Sequence, residues 1–297
     1  MAWFSEALDR LANRPCCGYA ADGPASTEPT ALAAMGLLAH GYDEPAARGL
    51  NWLCDVQRSD GSLGIDASNA KPCWATGWAV LAWQAALATQ RRDPRWADAA
   101  GRAVAWILAL QGRGQPRSKW FGHDTSLQAW PWVEETQSWV EPTAINLVAL
   151  KRSGHSGHAR SREAVVMLLD RMVPGGGWNY GNTIVLGATL KPHVQPTGLA
   201  LAALTGEPTA AEHVHRSLGY LEQALSARTT TASLCYALIG AAAHGRRFPA
   251  SGEWLEAAWR RTLERDASPY KLALLVLAAS EQGCPWCNSS PTEKATP

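Results

Sequence analysis

The chain has 297 residues, 46% of them hydrophobic, and a formal net charge of +1 with His neutral. It can bury a large core, and it has no electrostatic bias toward nucleic acid or an anionic membrane surface. Residues 1–10 lack the basic start and apolar stretch of a secretory leader, and no later stretch is long and apolar enough to span a bilayer, so a cytoplasmic protein with no transmembrane segment is expected.

Seven Cys, an odd number scattered through a large chain, predict reduced thiols rather than a disulfide framework. The compositional outlier is 15 Trp against 3 Phe. A buried indole N–H needs a partner, so this bias points to an aromatic-walled space or to a recurring packing motif.

Helices of two kinds alternate along the chain. Residues 3–13 read as an amphipathic helix, and Glu28-Pro29-Thr30-Ala31-Leu32-Ala33-Ala34 as one apolar on nearly every side and therefore buried. The amphipathic kind returns at 48–57, and again at 102–111, where Arg102, Trp106 and Gln111 keep the spacing of Arg48, Trp52 and Gln57. Between them Thr76-Gly77-Trp78-Ala79 is a looser copy of the buried kind. Glu141-Pro142-Thr143-Ala144-Ile145-Asn146 is its fullest copy, with Pro142 expected at the first helical position, where its missing N–H costs nothing. Residues 162–171 and 216–225 are amphipathic, Gln195-Pro196-Thr197-Gly198-Leu199 and residues 231–238 and 270–275 are apolar, and 253–266 completes the amphipathic set.

Each such pair of helices cannot bury its apolar face without a neighbour, which makes the chain an array of helical hairpins. The apolarity of the buried set favours closure. The expected fold is all-α, an (α/α)6 toroid or double barrel of six inner and six outer helices, as one domain over residues 1–288 with a disordered tail at 289–297. The loops that lead into inner helices then share one rim. Segments 112–140, with Trp120, Trp130, Trp132 and Trp139, and 174–195, with Trp178 and Tyr180, are the long loops of that rim, whereas the loops on the other rim are short and polar. Long structured loops on a rigid scaffold are where binding sites usually lie.

These repeats resemble those of the terpenoid cyclase and protein prenyltransferase superfamily, which includes squalene-hopene cyclases and the β subunits of protein prenyltransferases. Its repeat runs Lys/Arg-Gly, an aromatic or Leu, Gln, then Gly-x-Trp. Arg48-Gly49, Trp52, Gln57 and Gly61-Ser62-Leu63 follow it, with Leu63 in place of the last Trp. Arg102, Trp106 and Gln111 follow it with Trp120 as a delayed last element, and Arg162 with Gly176-Gly177-Trp178 matches both ends. The resemblance implies a central cavity that holds an isoprenoid chain or a similar small apolar ligand. Class II cyclases of the superfamily protonate an alkene with the middle Asp of Asp-x-Asp-Asp-Thr-Ala at the start of an inner helix. Trp139-Val140-Glu141-Pro142-Thr143-Ala144 stands in that place, with Glu141 alone keeping a carboxyl.

Glu141 is therefore the candidate proton donor, or else, like Glu28, it ties helix N-termini together through their free N–H groups. His193 is a candidate proton shuttle or an ordinary loop His. Trp74, Trp78, Trp132, Trp139, Trp178 and Tyr180 are candidates to contact a ligand, a role they share with packing the repeats. Glu28 and Gln195 are further candidates to contact the ligand, and Thr143 and Asn146 either face the cavity or hydrogen-bond within the wall. Lys119, His123, Asp124, Glu134 and Glu135 form a headgroup site or a solvated loop. The prenyltransferase branch would need a zinc site and a protein partner. Cys284-Pro285-Trp286-Cys287 has zinc-like spacing, but Cys16 and Cys17 belong to the opposite rim, roughly 18 Å away across a helix of about 12 residues. No metal and no other cofactor is expected. A non-catalytic toroid that binds a protein or a glycan through its Trp-rich rim is the alternative function.

Overall fold

The computed structural model describes residues 2–89, 93–280 and 283–287, so the expected tail at 289–297 lies outside the described residues. These residues form twelve α-helices: α1 (Ala2–Asn13), α2 (Thr27–Ala39), α3 (Asp43–Asp55), α4 (Thr76–Leu87), α5 (Pro94–Ala109), α6 (Val140–Arg152), α7 (Ala159–Asp170), α8 (Val194–Ala203), α9 (Ala211–Ala224), α10 (Thr231–Ala242), α11 (Ser251–Arg265) and α12 (Pro269–Ala279). Two short antiparallel strands, β1 (Ile184–Val185) and β2 (Ala188–Thr189), are the only strands among the described residues.

The even-numbered helices form the inner ring. α2 packs on α4, α4 on α6, α6 on α8, α8 on α10, α10 on α12, and α12 back on α2. Outside them lie the odd-numbered helices, and Trp3 of α1 meets Trp259 of α11 with ring centroids 5.9 Å apart. The chain is thus the closed (α/α)6 toroid that its repeats predict. Every residue from Thr27 to Leu37 in α2 and from Val140 to Leu150 in α6 is buried. Pro142, expected at the first helical position, is the third residue of α6, as Pro29 is of α2 and Pro196 of α8. The first turn has no partner for its N–H groups, so the residue is tolerated there equally well.

Most outer helices begin several residues before the amphipathic segments read from sequence. Asp93 caps α5 by accepting the Arg95 N–H at 2.8 Å, and Pro94 starts the helix. The Arg, Gln and Gly signature of the repeat is a contact between consecutive hairpins. Gln57 Nε2 donates to Gly61 O and Ala99 O, each at 2.9 Å, and Arg102 donates to Gln57 Oε1. Gly61, at φ +90°, lies against Arg102, where an added Cβ would stand 2.4 Å from the Arg102 carbonyl oxygen. Most of the Trp surplus also serves packing. The indoles of Trp83, Trp130 and Trp178 donate to Leu50 O, Ile107 O and Leu168 O on outer helices, at 3.3, 2.8 and 2.6 Å.

The ring interior is occupied, contrary to the central apolar cavity that the resemblance implies. Trp78 of α4 and Tyr236 of α10 come from opposite sides of the ring, and their centroids are 6.1 Å apart. Trp286, in the segment after α12, stands edge-on to Trp78 at 5.3 Å. All three are buried. α8 and α10 touch backbone to backbone: a Cβ on Gly240 would lie 2.1 Å from Gly198 O, and one on Gly198 would lie 2.3 Å from Tyr236 O. Gly240→Ala should force those helices apart and cost about 3 kcal/mol. A thermal melt should then show a fall on the order of 5 °C, and an unchanged midpoint would mean that the close crossing is not formed.

Candidate functional site

The loops leading into inner helices are stitched to one another around one rim. Thr27 N–H donates to Ile65 O at 2.8 Å, Trp74 N–H to Trp132 O at 3.0 Å, and Val140 N–H to Tyr180 O at 3.0 Å, while Ser268 Oγ bonds Tyr19 O. Each of four inner helices also carries a Thr that clamps its own loop. Thr30 bonds the backbone of Cys17, Thr76 that of Leu63, Thr143 that of Trp130 and Thr197 that of Trp178, each through both N–H and C=O. The Thr143 hydroxyl is therefore committed to the wall.

Two residues before each Thr stands Glu28, Trp74, Glu141 or Gln195, a register that places all four around the mouth of the inner ring. There the chain gathers two carboxyl groups and three phenols. Glu28 accepts from Tyr19 Oη at 2.6 Å and from Tyr236 Oη at 2.9 Å, and Tyr270 Oη donates to Tyr236 Oη at 3.3 Å. Gln195 bonds Glu141, whose Oε1 is buried with no hydrogen-bond partner. Neither carboxyl takes a helix N–H among the described residues; Glu28 instead joins α2 to α10 through the Tyr236 phenol.

Desolvation of a carboxyl favours its neutral form. Burial raises Glu28 to about 7 against the pull of the three phenols. Burial, then repulsion from Glu28, raises Glu141 to about 8, opposed by the bond from Gln195. Near neutral pH the pair therefore retains at least one proton, and it titrates as a unit. The phenols of Tyr236 and Tyr270 are themselves raised well above their ordinary value, first by burial and then by Glu28, so they remain donors.

The other candidates divide between this mouth and the walls. Trp74 and Trp132 are half-buried on the rim, edge-to-face with centroids 5.0 Å apart. Exposed Tyr180 lies 5.5 Å from the ring of His193, and its phenol is raised by burial and by Glu141. His193 and Trp139 occupy equivalent places, just before the first residues of α8 and α6. Trp78 and Trp178 fill the interior and the wall. Asn146 is fully buried against Gly77 of α4 with neither amide atom hydrogen-bonded.

Lys119, Asp124 and Glu135 of segment 112–140 do not converge on one site. Lys119 lies over Trp120, Asp124 caps a turn at Ser126, and Glu135 is 3.6 Å from Arg113. Cys284 and Cys287 face Arg152 at the end of α6 on the far rim, and no cluster of three metal-ligating side chains occurs among the described residues.

The tyrosines escape a motif search because they come from separate segments, yet a signal exists. Tyr270 is the second residue of α12, the register of Glu28 in α2 and Glu141 in α6.

No sequence family matches the chain, and no curated protein resembles it in sequence. Among solved structures, a variant of a reducing-end-xylose releasing exo-oligoxylanase is 11% identical over 98% of this chain and 95% of its own, with a TM-score of 0.61. A glycosidase is 13% identical over 94% and 96%, also at 0.61. The ent-copalyl diphosphate synthase from Streptomyces platensis is 18% identical over 85% of this chain, which spans 50% of that protein, with a TM-score of 0.52. These likenesses are of fold, an α/α toroid found in glycosidases and in a terpenoid cyclase alike. No described helix is long and apolar enough to cross a membrane.

Proposed function

We propose that the protein is an acid–base enzyme that works at the mouth of its toroid on a glycoside. The observation that carries this reading is the pair Glu28 and Glu141, two buried carboxyls raised toward neutrality within one ring of phenols. Glycoside hydrolysis needs one neutral carboxylic acid to protonate the leaving oxygen and one carboxylate to act on the opposite side. Glu141, without a donor on Oε1, is suited to the first role. Glu28, held by two phenol donors that favour its charged form, is suited to the second, taking the proton of an attacking water. Phenols, an amide and exposed aromatic faces match hydroxyl groups and sugar rings better than a hydrocarbon chain. Two neighbours in fold are glycosidases by name.

Acid-catalysed cyclisation or isomerisation of an isoprenoid is the second reading. It is favoured by the sequence at the start of α6 and by the terpenoid cyclase neighbour. With Trp78, Tyr236 and Trp286 filling the ring, such a ligand would have to lie across the rim. A panel of aryl glycosides, xylo- and gluco-oligosaccharides and prenyl diphosphates decides between the two. Release of reducing ends by the parent protein, lost in Glu141→Gln, is expected. Turnover of prenyl diphosphates alone would transfer the acid to the second reading, and no turnover of either class would leave a binding module for a glycan or protein.

A further inference from the structure

Beside the first turn of α6, the two long rim loops enclose a groove of about 480 Å³, within the roughly 300–1,000 Å³ of small-molecule sites. Its walls are held by bonds that need no ligand. Arg113 N–H donates to Thr136 O at 2.8 Å, Gln115 N–H to Thr125 O at 2.9 Å, Gly122 N–H to Ile184 O at 2.9 Å, and Asp124 N–H to Asp170 Oδ2 at 2.9 Å. Buried Arg171 ties the two loops together through Gly181 O at 2.8 Å and Asp124 O at 3.2 Å. A preformed groove spares a ligand the entropy of ordering it.

The lining is selective in charge. Two guanidinium groups, Arg113 and Arg171, reach the groove, and no carboxyl group lines it. Arg171 has Asp170 Oδ2 3.4 Å from its Nε. Arg113 has only Glu135 at 3.6 Å, with side chains 63% and 82% exposed, a pairing that contributes little in water. His123 adds no charge near neutral pH, since burial and then Arg171 lower it to about 4. The side-chain amides of Gln115, Gln137 and Asn182 make no hydrogen bond among the described residues, and Phe121 and Trp139 supply flat apolar surface. Trp139 also stands two residues before Glu141, so a ligand that fills both the groove and the mouth runs past its ring.

We propose that this groove binds a sugar unit carrying an oxyanion, a carboxylate or a phosphate substituent, adjacent to the bond on which the acid pair acts. The choice of a sugar rests on the glycoside reading above, whereas the preference for an anion rests on the groove alone. Ring faces stack on Trp139 and Phe121, hydroxyls meet the free amides, and the substituent meets Arg113.

Calorimetric or NMR titration of D-glucuronate, glucose 6-phosphate and glucose tests this at low salt, on the parent protein and on Glu141→Gln. At least one anionic sugar should bind roughly tenfold more tightly than glucose. The preference should shrink at high salt and fall about tenfold in Arg113→Gln but less in Arg113→Lys. Which anion wins identifies the substituent. Equal binding of all three sugars, binding of none, or an unchanged preference in Arg113→Gln would overturn the proposal. Because turnover is read beside the titration, a failure of the acid-pair reading appears as turnover absent in the parent or unchanged in Glu141→Gln with the anion preference intact, and a failure of the groove as Glu141-dependent turnover with no anion preference.

Discussion

Glu141→Gln should lower turnover by at least about 10²-fold, the typical contribution of a positioned general acid, while leaving the protein folded and as stable as the parent near pH 7. The reason lies in its surroundings. Glu141 Oε1 has no hydrogen-bond partner, and the carboxyl, raised to about 8, is mostly neutral at that pH, so an amide of the same shape replaces a neutral group with a neutral group. Glu28→Gln should behave differently. Both of its oxygens accept from phenols, and an amide would turn a donor toward one of them, at a cost of about 1–3 kcal/mol. The rate profile adds a second check. With groups at about 7 and about 8, activity should follow a narrow bell near neutrality, with apparent values that belong to the pair. Equal losses of stability in the two variants, with turnover untouched in Glu141→Gln, would show that both carboxyls are structural.

The fold is legible in the sequence because its information is local and periodic. Glu28-Pro29-Thr30, Glu141-Pro142-Thr143 and Gln195-Pro196-Thr197 announce the inner helices, and the clamp made by each Thr explains why the phrase recurs. The roles of the tryptophans are less legible. Trp178 and Trp78 look alike as apolar residues near inner helices, yet one donates to an outer-helix carbonyl while the other meets Tyr236 across the ring. That contact joins helices on opposite sides of the ring, a relation that no local pattern encodes. The insertion of Trp286 is hidden for the same reason, since its segment reads in isolation as a metal-binding spacing. The mouth is half legible: the glutamates stand out as carboxyls in apolar helices, whereas Tyr19, Tyr236 and Tyr270 acquire meaning only when three segments converge on Glu28.

The same two glutamates should make the protein less stable as pH rises through neutrality, contributing a loss of about 2 kcal/mol between pH 6.5 and 8, or roughly 3 °C in melting temperature. Both carboxyls are raised in the folded state from 4.5, so between about 4.5 and 8 the folded protein holds more protons than the unfolded chain. A state that holds more protons is weakened by their removal. The stabilisation is complete below about 4.5, is lost progressively as pH rises, and the curve flattens above about 8. Below about 7.5 an opposing effect enters. His40, His123, His213 and His244 are all lowered, chiefly by burial, and folding resists the charging of these rings as pH falls. At pH 6.5 the unfolded histidines are still half charged, so the glutamates are isolated by the difference between the parent curve and that of the variant lacking both carboxyls. Between pH 6.5 and 8 the parent's melting temperature should fall relative to that of Glu141→Gln, and further relative to the variant with both Glu28 and Glu141 replaced by Gln, whose own curve should rise slightly. Parallel curves for the parent and the double variant would mean that the two carboxyls are ionised in the folded protein, which would remove the neutral acid on which the proposed chemistry depends.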